Sequence, residues 1–284
     1  MLQSRRVLPL PNNLVPDRPE ADEAVAWLRL AGGRARVERV AEAVFQLADL
    51  DPLTASHLVS EFLKDDWRVA LAADGEVELR CEDAEARTLR ETEFVVFDVE
   101  TTGSKRPPCR VVEIGLCRVR AGRIVAELET LVNPCAPIPP FISALTGITD
   151  GMVGSAPPFE LVVGEVLDFI GPAVLVAHNA AFDVSFLNHE IAQVYAGRKL
   201  FNPQLCTVSL ARRVVPDLAN HRLHTVAEHF SVPLLRRHRA SDDARATAEV
   251  FIRLLELLDG HGVRDLAGAR SFRLNPQAPS RTVV

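Results

Sequence analysis

The chain has 284 residues, 48% of them hydrophobic and 25% charged, which is enough to pack one large or two modest domains and excludes general disorder. Five cysteines (Cys81, Cys109, Cys117, Cys135 and Cys206) include no C-x-x-C pair, so reduced thiols fit better than a disulfide frame or a zinc site. The net charge of -6 falls on residues 1–92 while residues 93–284 balance, which speaks weakly against a nucleic-acid partner.

Residues 1–20 are rich in proline and read as a flexible N-terminal arm. Arg5 and Arg6 are followed by prolines rather than an apolar stretch, so neither a signal peptide nor a membrane span is expected, and the expected compartment is the cytoplasm. Residues 21–31 have helical periodicity and stop at Gly32-Gly33. A second helical pattern covers 35–49. A third runs from about Pro52 to Lys64, with Asp51 placed to cap it. Trp67 to Arg80 alternates about Asp74-Gly75, a hairpin signal. Three helices and a hairpin over residues 21–81 give a small winged-helix-like α+β domain. Its third helix carries one lysine against three acids through Asp66, which favours protein contact or simple packing over DNA reading. The charged segment 82–92 reads as a linker.

From Glu93 the pattern changes. Phe94-Val95-Val96-Phe97 and Val99 describe a buried strand, and Asp98 and Glu100 share one face of it because alternate side chains of a strand do. Taken alone, a D-x-E at a strand end is most simply a pair of solvated acids. Side by side at the exit of a core strand, they repel and lose solvation, and no Lys or Arg follows until Lys105 and Arg106. A divalent cation bound by oxygen ligands would compensate them. Val111–Val119 and Ile124–Val132 continue as a meander through the turn Arg120–Arg123. Short helices are expected at 141–146 and 159–170. Val174–Ala177 is a fourth strand, and a helix capped by Asn179 runs to about Tyr195. Further helices lie near 207–214 and 222–230, and a long one covers Ser241–Leu258. Residues 261–284 read as a flexible tail.

Two more acids stand out. Asp183 falls on the apolar face of its helix with Leu187, Ile191 and Val194. Favourable interaction with the helix dipole is the simpler account of it. Asp243 lies beside the inward face of the long helix. His238 precedes it by five residues, in a loop from which it could swing over an acidic cluster.

Taken together, Asp98-Val-Glu100-Thr-Thr-Gly, His178-Asn-Ala-Ala-Phe-Asp183 and His238-x4-Asp243 resemble the three motifs of the DnaQ-like DEDDh exonuclease family, over about residues 93–258. One departure is Cys206-Thr-Val-Ser-Leu, where many relatives carry an aspartate. The resemblance implies an RNase H-like mixed five-stranded sheet flanked by helices over residues 93–260. It also implies two Mg²⁺ or Mn²⁺ ions held by Asp98, Glu100, Asp183 and Asp243, with His238 as the base, since histidine titrates nearest neutrality. Thr101, Thr102 and Gly103 would hold the terminal nucleotide through their N–H groups. His178, Asn179 and Phe182 resemble positions lining the nucleotide pocket, with Phe182 equally readable as core. The function so implied is 3′–5′ exonucleolysis at single-stranded DNA 3′ ends, in proofreading or repair. Trimming of RNA ends and a non-catalytic nucleic-acid-binding adaptor remain as alternatives. A polymerase or repair factor is the expected partner of the N-terminal domain.

Overall fold

A computed structural model describes residues 11–81 and 84–274. The chain divides into two compact units, one comprising the chain up to Asp83 with Ile191–Phe201, the other Ala84–Glu190 with the chain from Asn202 onward. Residues 1–10 of the expected arm, 82–83 of the expected linker and 275–284 of the expected tail lie outside the described residues.

In the smaller unit, β1 (Leu14–Pro16) pairs antiparallel with Arg198–Leu200. Leu14 and Val15 are fully buried, so the part of the expected arm that is described is ordered. A strand of three residues shows no periodicity, and its partner lies far along the chain, which is why the sequence reads as an arm. Helices α1 (Pro19–Leu30), α2 (Val37–Phe45) and α3 (Pro52–Phe62) alternate with β2 (Arg34–Arg36) and lead into the hairpin β3 (Val69–Leu71) and β4 (Glu76–Leu79). The sheet order is β2-β4-β3. Asp51 caps α3 as expected, accepting from the Leu53 and Thr54 N–H groups at 3.1 Å. Val25, Leu28, Val40, Val59 and Val77 fill the centre. Arg68 is buried with its head on Asp66 and Asp22.

The larger unit is built on β5 (Phe94–Thr101), β6 (Val111–Arg120), β7 (Arg123–Leu131), β8 (Val174–Ala177), and, after β9 (Arg198–Leu200) of the smaller unit, β10 (Gln204–Cys206). Their order is β10-β8-β5-β6-β7. β5, β8 and β10 run parallel and the meander β5-β6-β7 antiparallel. This is the mixed five-stranded sheet expected from the resemblance. Ala121 and Gly122, both at positive φ (49° and 71°), make the tight β6–β7 turn. The helices are α4 (Pro140–Thr146), α5 (Asp150–Val153), α6 (Phe159–Ile170), α7 (Ala180–Val194), α8 (Thr207–Val214), α9 (Leu223–His229), α10 (Ala240–Gly260) and α11 (Leu266–Ser271).

Two boundary expectations need correction. Residues 84–92 are not a free linker: Leu89 is buried and its N–H reaches the Arg264 carbonyl at 2.8 Å. Nor is the whole of 261–274 a free tail, because α11 buries Leu266 and Ala269 and is capped by Asp265, which accepts from the Gly268 N–H at 2.7 Å. Both segments are charged overall and carry one or two apolar anchors each, too few for a periodic signal. Among the described residues no helix is long and apolar enough to cross a membrane.

The core explains where the acids go. Phe94 and Val96 of β5 join Ala244, Ala248, Phe251 and Leu254 of α10 in one apolar cluster, with the Phe94 and Phe251 rings 4.9 Å apart. Asp98 and Glu100 continue that face of β5 by the two-residue period, so they emerge beneath the N-terminus of α10. Gly115, the cross-strand partner of Asp98, makes this approach possible. A Cβ there would stand 2.3 Å from the Ala240 carbonyl oxygen and 2.5 Å from the Ser241 nitrogen.

Candidate active site

Three elements meet at the end of β5. The register of β5 with β8 ends at Val96–Val176, and the chain leaving β8 enters α7. The β5 backbone beyond that point lacks a strand on this side, and the Asp183 carboxylate accepts from the Val99 N–H at 3.3 Å. Asp183 is therefore buried by the start of α7 rather than merely placed at a favourable helix end. From above, α10 delivers Asp243, whose carboxylate accepts from the His238 N–H at 2.9 Å. That bond closes the loop before α10 with His238 in the left-handed region (φ 61°). It brings ligand atoms of Glu100, His238 and Asp243 within 4.8 Å of one another.

The electrostatics follow from burial. The Asp98 carboxyl is pushed well above the usual range, first by desolvation and then by the charges of Asp183, Glu100, Asp243 and Glu113. Glu100 is pushed up to about 8 by desolvation, then by Asp243, Glu113 and Asp183. Asp183 rises to about 7, mainly by desolvation, against the backbone hydrogen bonds it accepts. Desolvation also raises Asp243, against the lowering effect of the His238 N–H. Four acids thus act on one small volume, and their own protons are the alternative to a cation. Carboxylate donors gathered in this way suit a hard divalent ion, with the His238 imidazole standing beside them.

The other expected site residues divide. The Thr102 N–H, assigned to the substrate in the sequence reading, instead donates to the Arg110 carbonyl at 2.8 Å. Its hydroxyl accepts from the Arg110 N–H at 3.0 Å. The Thr101 hydroxyl donates to the Gly103 carbonyl at 2.7 Å. These bonds fix the turn after β5 and remove Thr102's N–H from the set open to a ligand. His178 has both ring nitrogens engaged within the protein, Nδ1 with the Thr207 hydroxyl at 2.9 Å and Nε2 with the His221 carbonyl at 3.0 Å. A carbonyl can only accept, so Nε2 carries the proton and Nδ1 accepts from Thr207. Burial pushes this histidine down to about 4, which keeps it neutral. It ties β8 to α8 and the loop before α9, which leaves neither ring nitrogen open to a hydrogen bond from a substrate. Asn179 is exposed at φ 86°, and its backbone carbonyl, accepting from the Phe182 N–H at 2.9 Å, starts α7. An N-cap residue has extended backbone, so the expected cap is replaced by a left-handed turn. Phe182 is half-buried, its ring 4.8 Å from that of Phe186.

One residue escaped the sequence reading. Glu113 of β6 is fully buried and takes the Arg239 guanidinium on Oε1 at 2.5 Å and the Ala240 N–H on Oε2 at 2.7 Å. This clamp holds the segment that carries His238 and the first turn of α10. The available signal was an acid three residues into the mostly apolar Val111–Val119 strand.

Comparison with known proteins fits this geometry. The exonuclease family model (RNase_T) matches residues 95–251. The chain is 45% identical over 187 residues to the PolC-type DNA polymerase III of Caldanaerobacter subterraneus subsp. tengcongensis, covering 66% of this chain and 13% of that protein. It is 42% identical over 165 residues to the DNA polymerase III subunit epsilon of Aquifex aeolicus, covering 58% and 81%. Thus it spans only a small fraction of the PolC-type relatives it matches. In fold it resembles the nuclease domain of 3′hExo, a DEDDh family member solved with rAMP, with a TM-score of 0.51 at 19% identity over 60% of this chain and 94% of that one. With matched motifs, sheet order and family model in agreement, the chain belongs to the RNase_T exonuclease family and carries its nuclease domain.

Proposed function

We propose that this protein is a metal-dependent 3′–5′ exonuclease that releases nucleoside monophosphates from DNA 3′ ends in proofreading or repair. The observation that carries the reading is the convergence of Asp98, Glu100, Asp183 and Asp243, each raised by burial, with His238 beside Glu100 and Asp243. A binding adaptor has no use for such mutual repulsion. Bound by the four carboxylates, two Mg²⁺ or Mn²⁺ ions would neutralise the phosphodiester and acidify a water.

The protein's own groups supply the rest. His238 accepts the proton of the attacking water, a role typically worth about 10²–10⁴ in rate. Asp243 fixes the backbone of His238, and Asp183 braces the β5 end through Val99. Thr101, Gly103, Asn179 and Phe182 border the terminal nucleotide, and the turn held by Thr102 shapes the floor. DNA is favoured over RNA by the two relatives described above, both named as DNA polymerase III proteins. The same kinship supports a polymerase or repair factor as the partner of the winged-helix-like unit, acting in the cytoplasm.

The test is turnover of 5′-end-labelled single-stranded DNA and RNA with Mg²⁺ or Mn²⁺. The reading predicts a ladder shortening from the 3′ end, faster on DNA and abolished by EDTA. Metal-independent cleavage, or no turnover of either polymer, would refute it.

A further inference from the structure

A second charged concavity lies on the larger unit, outside the carboxylate cluster. It has a volume of about 560 Å³ against the edge strand β10 and is lined by Cys206, Ser209, Arg212, Arg213, Arg270 and Arg273. Four guanidiniums share this small space. Arg270 is paired with Glu85 at 3.4 Å and donates to the Gln204 carbonyl at 2.9 Å. Arg213 donates to the Ser209 carbonyl at 3.0 Å and also to the Arg270 carbonyl. Those two are fixed by the fold. Arg212 and Arg273 are exposed and have no acidic partner among the described residues. The sequence from Asn275 onward contains no aspartate or glutamate. Among the described residues the pocket therefore presents like charges with one paired acid, Glu85, to offset them. Such an arrangement, in a concave wall, suits a phosphate.

The position of the pocket says which phosphate. β10 runs parallel to β8 with Cys206 opposite Ala177, so Cys206 and the catalytic acids stand at the same end of one sheet. From β5 to β10 is two strand spacings, roughly 10 Å. A lateral offset of that size is within reach of a strand whose 3′ end lies at the carboxylates. α8, which carries Arg212, is hydrogen-bonded through Thr207 to His178, just past the end of β8, at 2.9 Å.

We infer that the Arg212–Arg273 pocket binds a backbone phosphate of the polynucleotide a few residues from the cleaved end. The inference rests on the nuclease reading for its ligand, and its test separates the two. Binding of an oligothymidylate of about twelve nucleotides is measured by fluorescence anisotropy in EDTA, across a series of salt concentrations. The variants are the double substitution Arg212→Gln/Arg273→Gln and the single charge reversal Arg212→Glu. Both positions are exposed, so folding should be spared, and thermal melting verifies it. Hydrolysis of a p-nitrophenyl ester of thymidine 5′-monophosphate, which reaches the catalytic centre alone, is followed in parallel with Mn²⁺.

The expected result is weaker oligonucleotide binding, by about tenfold or more, with a salt slope shallower by roughly 1, and unchanged ester hydrolysis. Oligonucleotide affinity and salt slope equal to wild type would overturn the inference while leaving the nuclease reading intact. So would a variant that loses only its stabilisation by millimolar inorganic phosphate or thymidine monophosphate, which would make the pocket a small-anion site. Absence of ester hydrolysis in the wild-type protein would count against the nuclease reading instead.

Discussion

Glu100 and Glu113 are direct cross-strand partners on β5 and β6, and it is Glu113 that holds the guanidinium, accepting from Arg239 Nη2 at 2.5 Å. The pairing leaves Glu100 free for a cation and uses Glu113 to hold the loop above it. Glu113→Gln keeps the shape and weakens the clamp. It should lower turnover by about 10–100-fold, the usual cost of losing a residue that orients a metal ligand. Arg239→Gln leaves a buried carboxylate unmatched and should cost about 3–5 kcal/mol of stability. Steady-state kinetics and urea melts of the two variants check this; wild-type kinetics in Glu113→Gln would remove the clamp from the account.

Gly115 is a second check on the same geometry. Its Cβ position lies 2.3–2.5 Å from backbone atoms of Ala240 and Ser241, which cannot rotate away as a side chain would. Gly115→Ala must lift the start of α10 off the sheet, carrying Asp243 with it. The expected loss is about 1–3 kcal/mol in stability and more than tenfold in activity, read by thermal melting and turnover.

The acids make stability depend on pH and on metal. Glu100 and Asp183 rise from ordinary values of 4.5 and 3.8 to about 8 and about 7. Between those limits the folded protein holds protons that the unfolded chain has released, so metal-free stability falls as pH rises from about 4 to 8. Divalent cation should reverse the loss by binding the folded state. Asp98→Asn should flatten the pH dependence and raise metal-free stability while abolishing turnover. Melting curves in EDTA at several pH values test the sign directly.

His178 runs the other way. Its folded value of about 4 lies below the ordinary 6.5, so the unfolded chain takes up the proton first and this contribution to stability is lost as pH falls from 6.5 through 4. His178→Gln should remove that component and destabilise the protein by about 1–3 kcal/mol through the unsatisfied Thr207 and His221 groups. The difference between wild-type and variant melts across pH 4–7 reports it.

Much of the site was legible because its residues break local rules. Asp98 and Glu100 interrupt an apolar strand, Asp183 sits on an apolar helix face, and Asp243 follows His238 by five residues beside the inward face of a long helix. Each long element announced itself by periodicity, from β5 to α10. What was hidden depends on distant partners. β1, β2, β9 and β10 are three residues each, too short to alternate. The Glu113–Arg239 clamp joins residues 126 positions apart. The occupied nitrogens of His178 and the occupied N–H of Thr102 follow from tertiary neighbours that no local pattern reveals.

The central claim is that carboxylates from β5, α7 and α10 form one cation pocket served by His238. Calorimetric titration with Mn²⁺ tests it most directly, using wild type, Asp98→Asn and His238→Ala. The account predicts saturable binding in wild type, loss of it in Asp98→Asn, and near-normal binding in His238→Ala despite a turnover lower by about 10²–10⁴. Undiminished Mn²⁺ binding in Asp98→Asn would contradict it.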